Sequence, residues 1–400
     1  MISTPFSRLS VVAARSTACS VALLCAGLLS ASCKGSPAPP QTATPAAQTA
    51  APPAPPVNPN GPRIYVSDET GRDVVVIDPD AGQVVGRIEV GKRPRGLRLS
   101  KDGKQLFIAL SGSPIGGPGV DESKLPPADR AADGIGVVDI ASGKLVRKFT
   151  SGPDPESFDI SPDGKFLYVS NEDAAEMSAL DLASGEITHR VKVGEEPEGV
   201  TVRPDGRVVY VTSEGDNAVV AIDTTTYKVV GKIATAPRPR SMVFTPDNKL
   251  AFVATENGNA VNVVDAQKHR VLATLKIPQT DGTPTPPRPM GTAMSPDARE
   301  VFVSFGRAKS VGVIDVATRK LARTFEDVGA RPWGIGVSPD GRKIYTANGP
   351  SGDVSIVDIA TGTVEKRVKV GGSPWGVAVA QPVTEGGATK PAAPSPPGGR

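Results

Sequence analysis

Beyond residue 33 the 400-residue sequence contains no cysteine; its three, Cys19, Cys25 and Cys33, all fall near the start. A body without cysteine has no disulfide and no thiol nucleophile, so it stands on packing alone even in an oxidising compartment. Histidine is almost as scarce, with two residues, His189 and His269, and so is tryptophan, with Trp333 and Trp375. After the first thirty or so residues nothing is apolar for long enough to span a bilayer. Neither sign of charge dominates: 45 Lys and Arg against 42 Asp and Glu leave +3. That argues against a nucleic acid or other polyanion held by bulk electrostatics. No helical period is evident, so no Gly-rich phosphate loop opens a helix.

What the chain does have is one stretch written seven times. The clearest copy runs from Pro332 to Gly372 and reads as four short strands, A to D. They are GIGVS, KIYTAN, VSIVD and TVEKRVKV, rich in β-branched residues and separated by Gly, Pro, Asp and Asn. The strand B aromatic recurs at Tyr65, Phe107, Tyr168, Tyr210, Phe252, Phe302 and Tyr345. The Asp closing strand C recurs at Asp78, Asp139, Asp181, Asp223, Asp265, Asp315 and Asp358. A Pro precedes each strand A, at Pro94, Pro155, Pro197, Pro239, Pro289, Pro332 and Pro374. A basic spacing of 42 residues and four antiparallel strands per copy predict an all-β, seven-bladed β-propeller over residues 63–380. The repeat opens on a strand B at 63–67 and ends on a strand A at 374–379. The last strand is therefore expected to complete the first blade, which removes two exposed sheet edges.

Spacing also predicts which side of the disc varies. From Pro to the next aromatic is always 13 residues, so the A–B hairpin is constant. Nineteen extra residues enter the B–C loop of the second blade, and 8 enter the D–A connection before Pro289. In an antiparallel blade these two connections share one face, here the top. Variable loops on a rigid scaffold are where binding usually resides.

Residues 1–33 read as an export signal. Arg8 and Arg15 precede a short apolar core from Ser16 to Leu29, too short to span. Ser30-Ala31-Ser32-Cys33 resembles the lipobox of bacterial lipoproteins. The resemblance implies that Cys33 is the lipidated first residue of the mature chain. Lys34 follows it, which by the same resemblance points to the outer membrane and to a periplasmic or cell-surface protein. The alternative is ordinary cleavage that releases a soluble protein. Residues 34–62, rich in Pro, Ala, Thr and Gln, read as an extended tether, and 381–400 as a disordered tail.

Several tempting residues have local explanations. Pro-Asp-Gly at 162–164, 204–206 and 339–341 is turn chemistry, as is the Asp ending each strand C. The strand B aromatics alternate with β-branched residues and are expected to pack between blades. His189 falls in strand D and His269 in a C–D turn on the bottom face, so neither reaches the channel. That argues against a His-ligated haem, a His-based triad and a zinc site. No cofactor or metal is expected. The insertion at 111–130 holds Asp121, Glu122 and Asp129 at a spacing unlike a calcium loop. It reads as a solvated loop or as a lid.

The residues flanking the repeated Pro behave differently. Around the ring they read Ser373/Trp375, Arg93/Arg95, Asp154/Glu156, Glu196/Glu198, Arg238/Arg240, Arg288/Met290 and Arg331/Trp333. Strand A is innermost and starts at the top, so these positions surround the channel mouth. Four acids occupy two neighbouring blades; six arginines and both tryptophans occupy the others. Such a sectored mouth suits a small anionic or ring-bearing ligand, with Arg for bidentate contacts and Trp for stacking. Arg93, Arg95, Glu156, Glu198, Arg238, Arg240, Arg288, Arg331, Trp333 and Trp375 are the candidate ligand-binding residues. The alternative is that the acidic and basic sectors pair and the tryptophans plug the opening.

LYVSNEDAAEMSALDLASG and IYTANGPSGDVSIVDIATG, with PEGVTVRPDG and PWGIGVSPDG, resemble the YVTN family of β-propeller repeats over residues 63–380. The resemblance implies a binding or scaffold module of the cell envelope; the expected partner is an envelope protein or a small anionic ligand, with the chain a monomer that meets membrane through its lipid anchor alone. Related propellers include bacterial lactonases and haem domains of nitrite reductases. The haem reading lacks placed histidines. A lactonase-like hydrolase using Glu156, Glu198 and Arg240 at the mouth is the enzymatic alternative.

Overall fold

In the computed structural model the described residues are 61–116, 121, 124–279 and 285–381. The export signal with Cys33, nearly all of the tether and all of the tail after Gln381 lie outside them. Among the described residues there are seven separate four-stranded antiparallel sheets. No helix among them is long and apolar enough to cross a membrane.

The predicted closure is present. Pro374–Ala380 pairs antiparallel with Arg63–Asp68, matching Ile64 to Val379, Tyr65 to Ala378 and Val66 to Val377. Blade 1 thus joins the last strand to three of the first. Each inner strand packs against the inner strands of both neighbours, and the last meets that of blade 2, Pro94–Leu99. The ring is complete.

The core is divided into seven apolar clusters, one at each blade interface. Strand B is buried on both faces because both face a neighbouring sheet; Val208–Ser213 is buried at every residue. The strand B aromatics fill these interfaces as expected. Tyr210 packs with Met242 and Val253 of the next blade, and Phe302 with Ile335 and Ile344. Burying such side chains stabilises by roughly 1.5–3 kcal/mol each. Strand D forms the outer edge, and Lys144–Phe149 is exposed at all but its last residue.

The turn readings also hold. The strand C Asp accepts the backbone N–H three residues on in every blade, from Ala81 at Asp78 (2.8 Å) to Thr361 at Asp358 (2.8 Å). In the first Pro-Asp-Gly turn, Asp163 accepts from Lys165 N and Ser161 Oγ while Gly164 takes φ +72°. The blade 2 insertion leaves between Leu110 and Gly134, on the same face as the mouth. It is tied at its base, where Gly112 N donates to Asp133 Oδ1 (2.6 Å) and Asp129 N to Gly112 O (2.9 Å).

Candidate functional site

Every inner strand breaks register just after its proline. In blade 4, Pro197 pairs with Ser213 and pairing resumes only at Val200 with Val211. The same slip recurs in the other six blades. It leaves two residues out of the ladder, as a β-bulge does. The first is the mouth residue: Arg95, Glu156, Glu198, Arg240, Met290, Trp333 or Trp375. The second is Gly in five blades and Ser157 or Ser241 in two. A Cβ on Gly199 would lie 2.4 Å from Arg240 O, and one on Gly334 2.4 Å from Trp375 O. Small residues there let adjacent inner strands approach closely enough to close the mouth.

Strand B hydroxyls lock this layer. Ser67 Oγ donates to Arg95 O (2.6 Å), Ser170 Oγ to Glu198 O (2.7 Å), Thr212 Oγ1 to Arg240 O (2.8 Å) and Ser304 Oγ to Trp333 O (3.1 Å). Each bond runs from one blade to the mouth residue of the next. The residue before the proline is strained in six blades: Arg93, Asp154, Glu196, Arg238, Arg288 and Arg331 have φ between 42° and 60°. Non-glycine residues rarely adopt this region, and it costs free energy. The backbone there is constrained even though the side-chain type varies.

Sequence reasoning missed a second ring. Glu69, Glu172, Glu214 and Glu256 each stand four residues after the strand B aromatic. They follow strand B directly and point their carboxylates at the mouth arginines. Arg93 Nε meets Glu69 at 2.9 Å, and Arg95 Nε meets it at 3.3 Å. Arg95 is also paired with Glu156 of the next blade. Arg238 Nε lies 2.6 Å from Glu214 and 3.3 Å from Glu256. Arg240, almost wholly buried, pairs with Glu198 (2.8 Å), Glu256 (3.0 Å) and Glu214.

Six of the ten candidate residues therefore match each other, between neighbouring blades and through glutamates absent from the candidate set. The remaining four form a different surface. Arg288 and Arg331 have no carboxylate partner among the described residues, and Arg288 Nε is buried without an acceptor. Trp333 and Trp375 stack with centroids 6.1 Å apart and planes at 22°. Arg331 and Arg240 lie over the Trp333 ring at 4.6 and 4.9 Å, and Arg95 over Trp375 at 5.7 Å. Both half-buried rings line an axial cavity of about 280 Å³, bordered also by Glu198, Arg240, Met290 and the small residues of the closing layer.

Two of the packed carboxylates titrate above the ordinary range. Burial, aided by the charges of Glu198 and Glu256, raises Glu214 to about 8, against Arg240 and Arg238. Burial also raises Glu172 to about 7, with Asp154 and Glu198 adding to it and Arg95 opposing. Glu198 goes the other way: burial would raise it, but Arg240, Arg95 and a hydrogen bond from Glu214 hold it ionised. Carboxylate oxygens of Asp154, Glu156 and Glu172 come within 4.8 Å of one another. Arg93 and Arg95 already face this group, at 3.7 Å from Asp154 and 3.9 Å from Glu172.

The histidines sit where the repeat placed them, away from the mouth. His189 stacks on Tyr227 at 3.6 Å, and His269 Nδ1 lies 2.7 Å from Tyr210 OH.

Residues 199–380 match the family described as Lactonase, 7-bladed beta-propeller, and residues 66–237 match one described as Choice-of-anchor I domain. A curated relative, Antigen Lp49 of Leptospira interrogans, is 30% identical over 137 residues, or 27% of this chain. The chain spans 30% of that relative's length. Among solved structures, Kuenenia stuttgartiensis hydrazine synthase superposes with TM-score 0.59 at 20% identity, covering 73% of this chain and 96% of that one. A Bacteroides fragilis protein named as a candidate 6-phosphogluconolactonase gives 0.64 at 16% identity, covering 82% and 100%. A protein of unknown function from Desulfotomaculum acetoxidans gives 0.64 at 15%, covering 80% and 99%. These superpositions speak to the fold alone.

Proposed function

We propose that this chain is a ligand-binding β-propeller of the bacterial cell envelope, exported and held by a lipid on Cys33, whose site is the top mouth. One observation carries the binding reading. Two stacked tryptophans line the axial cavity and Arg331, without a carboxylate partner among the described residues, lies over the Trp333 ring, while six other candidate residues are matched with one another or with the strand B glutamates. Concave sites with an apolar wall and a few convergent polar groups are where small molecules bind. The repeats resemble YVTN propellers, and the Ser-Ala-Ser-Cys run at 30–33 supports the anchor.

The test is a set of thermal melts with neutral, cationic and anionic small molecules, on wild type and on a Trp333→Ala/Trp375→Ala variant. A ligand at a hundred times its Kd stabilises by about 2.7 kcal/mol. At least one compound should shift the wild type and not the variant. A panel that shifts both alike, or neither, removes the mouth as the site.

A second reading is a lactonase-like hydrolase at the same mouth. It is favoured by the family match over residues 199–380 and by Glu214, which titrates near neutrality beside the ionised Glu198 and Arg240. A carboxyl that titrates near the working pH suits general acid–base chemistry. Hydrolysis of 6-phosphogluconolactone by purified protein, lost in Glu214→Gln and Glu198→Gln, would favour it; no hydrolysis by the wild type would dismiss it for that substrate.

A further inference from the structure

We propose that the boundary of blades 6 and 7 binds the acid group of a small oxyanion that also carries a flat ring, with Arg331 and Arg288 receiving the anion. This rests on the reading of the mouth as a binding site and names the ligand class that it takes. The argument comes from the repeat itself. An arginine before the proline of one blade is met by the glutamate that ends strand B of the preceding blade or of its own. Arg93 meets Glu69 at 2.9 Å; Arg238 meets Glu214 at 2.6 Å and Glu256 at 3.3 Å. For Arg331 both of those positions are glycine, Gly306 and Gly349. For Arg288 one is Gly306 and the other is Glu256, already engaged by Arg238 and by Arg240 at 3.0 Å. The carboxylate ring is interrupted where the arginines continue.

A desolvated guanidinium without an acceptor is costly. Burial and the charges of Arg240, Arg307 and Arg238 push Arg331 below its ordinary value, against Glu256. Exposed Arg307, beside Gly306, likewise has no carboxylate partner among the described residues. Of the two glycine positions, the Gly349 side is the less crowded. A Cβ built on Gly306 would sit 2.5 Å from Met290 Sδ, so Met290 fills that position. A Cβ on Gly349 would meet Ser373 Oγ first, at 3.3 Å, and then the edge of Trp333 at 3.4–3.5 Å, side-chain atoms in both cases. The Trp333 ring that this Cβ would touch is the one Arg331 covers at 4.6 Å, so Gly349 and Arg331 share a line along that indole. The ligand's oxyanion occupies that line in place of the missing glutamate, and its ring lies against Trp333 or Trp375. Arginine forks pair with carboxylate and phosphate alike, so both acid groups fit.

Both tryptophans of the chain lie at the mouth, so intrinsic tryptophan fluorescence reports this site alone. The probes are benzoate, benzyl alcohol as its neutral counterpart, and inorganic phosphate as an anion without a ring. Benzoate should change the emission saturably, phosphate more weakly, and benzyl alcohol with at least about tenfold lower affinity, the size of one charge-assisted hydrogen bond. Arg331→Met should weaken benzoate about tenfold or more. Gly349→Glu, which supplies the absent carboxylate from within, should do the same, and Gly349→Gln should weaken it less. Wild-type emission indifferent to benzoate, an equal response to benzyl alcohol, or undiminished benzoate binding in Gly349→Glu would each overturn the proposal. If neutral compounds shift the melt through the tryptophans while no anion does, this inference falls and the mouth remains the site.

Discussion

Arg331 lies 4.6 Å over the Trp333 ring and meets no carboxylate among the described residues, whereas Arg240, 4.9 Å over the same ring, is held by three. Two guanidiniums thus share one indole and differ in whether a carboxylate lies within ion-pair distance.

That difference sets stability effects of different size. Arg240→Met strands Glu198, Glu214 and Glu256 in a buried cluster and should cost about 3 kcal/mol or more, since removing one partner leaves buried charge uncompensated. Arg331→Met loses one cation–π contact and relieves one unmatched charge, so it should stay within about 1 kcal/mol of wild type. Urea unfolding of both variants checks the pair; equal losses would contradict the separation of the mouth into matched and unmatched halves.

The two raised carboxyls make stability fall with pH. Glu214 near 8 and Glu172 near 7 in the folded chain stand against 4.5 for an ordinary Glu. Between pH 4.5 and 8 the native state therefore binds more protons than the unfolded state, and stability decreases as pH rises. The contribution is full below 4.5 and lost through 7 to 8. Glu214→Gln should flatten that slope in urea midpoints measured across the range. At the acid end Asp340 and Asp358 act in reverse. Hydrogen bonds from Ser338 and Arg342 at Asp340, and from Thr361 and Lys343 at Asp358, hold both carboxyls near 2. Their contribution is lost as pH falls from 3.8 toward 2.

Gly199→Ala places a methyl group against Arg240 O, a backbone atom that cannot swing away. The inner strands of blades 4 and 5 would have to part, at a cost of about 2 kcal/mol or more. Ser157→Gly, at the equivalent position in blade 3, should cost about 1 kcal/mol or less. Melting temperatures of the two variants test whether this layer sets the bore of the mouth.

Cys33→Ala should move the protein from the membrane to the soluble envelope fraction and abolish incorporation of a labelled fatty acid. Fractionation with both forms unchanged would leave the anchor without support.

The strands, their number and the closure were legible because each rests on local chemistry. Strand alternation, Pro-Asp-Gly turns and the Asp cap act within a few residues, and seven copies repeat the message. Arg95, Arg240 and the tryptophans were legible as a rim because the proline marks the start of each inner strand. Pairing of the acidic with the basic sector stood as the alternative and is seen at Arg95–Glu156 and Arg240–Glu198; the further partners were not legible, because Glu69 meets Arg95 and Glu214 meets Arg240 across blade boundaries. The spacing of Glu69, Glu172, Glu214 and Glu256 was present in the sequence. It reads as ordinary loop polarity until strand B is seen to end at the mouth. The left-handed backbone at Arg93 and its equivalents left no trace, since Arg, Asp and Glu all accept it.

The pairing of Tyr65 with Ala378 ties the birth order of the chain to its shape. Synthesis runs from the amino end, so the strand that finishes blade 1 is the last one made. Until it emerges, Arg63–Asp68 presents an unpaired flank and blade 7 a naked side. The circle can lock only after residues 374–380 have been made and released, which leaves the polypeptide unlatched until then.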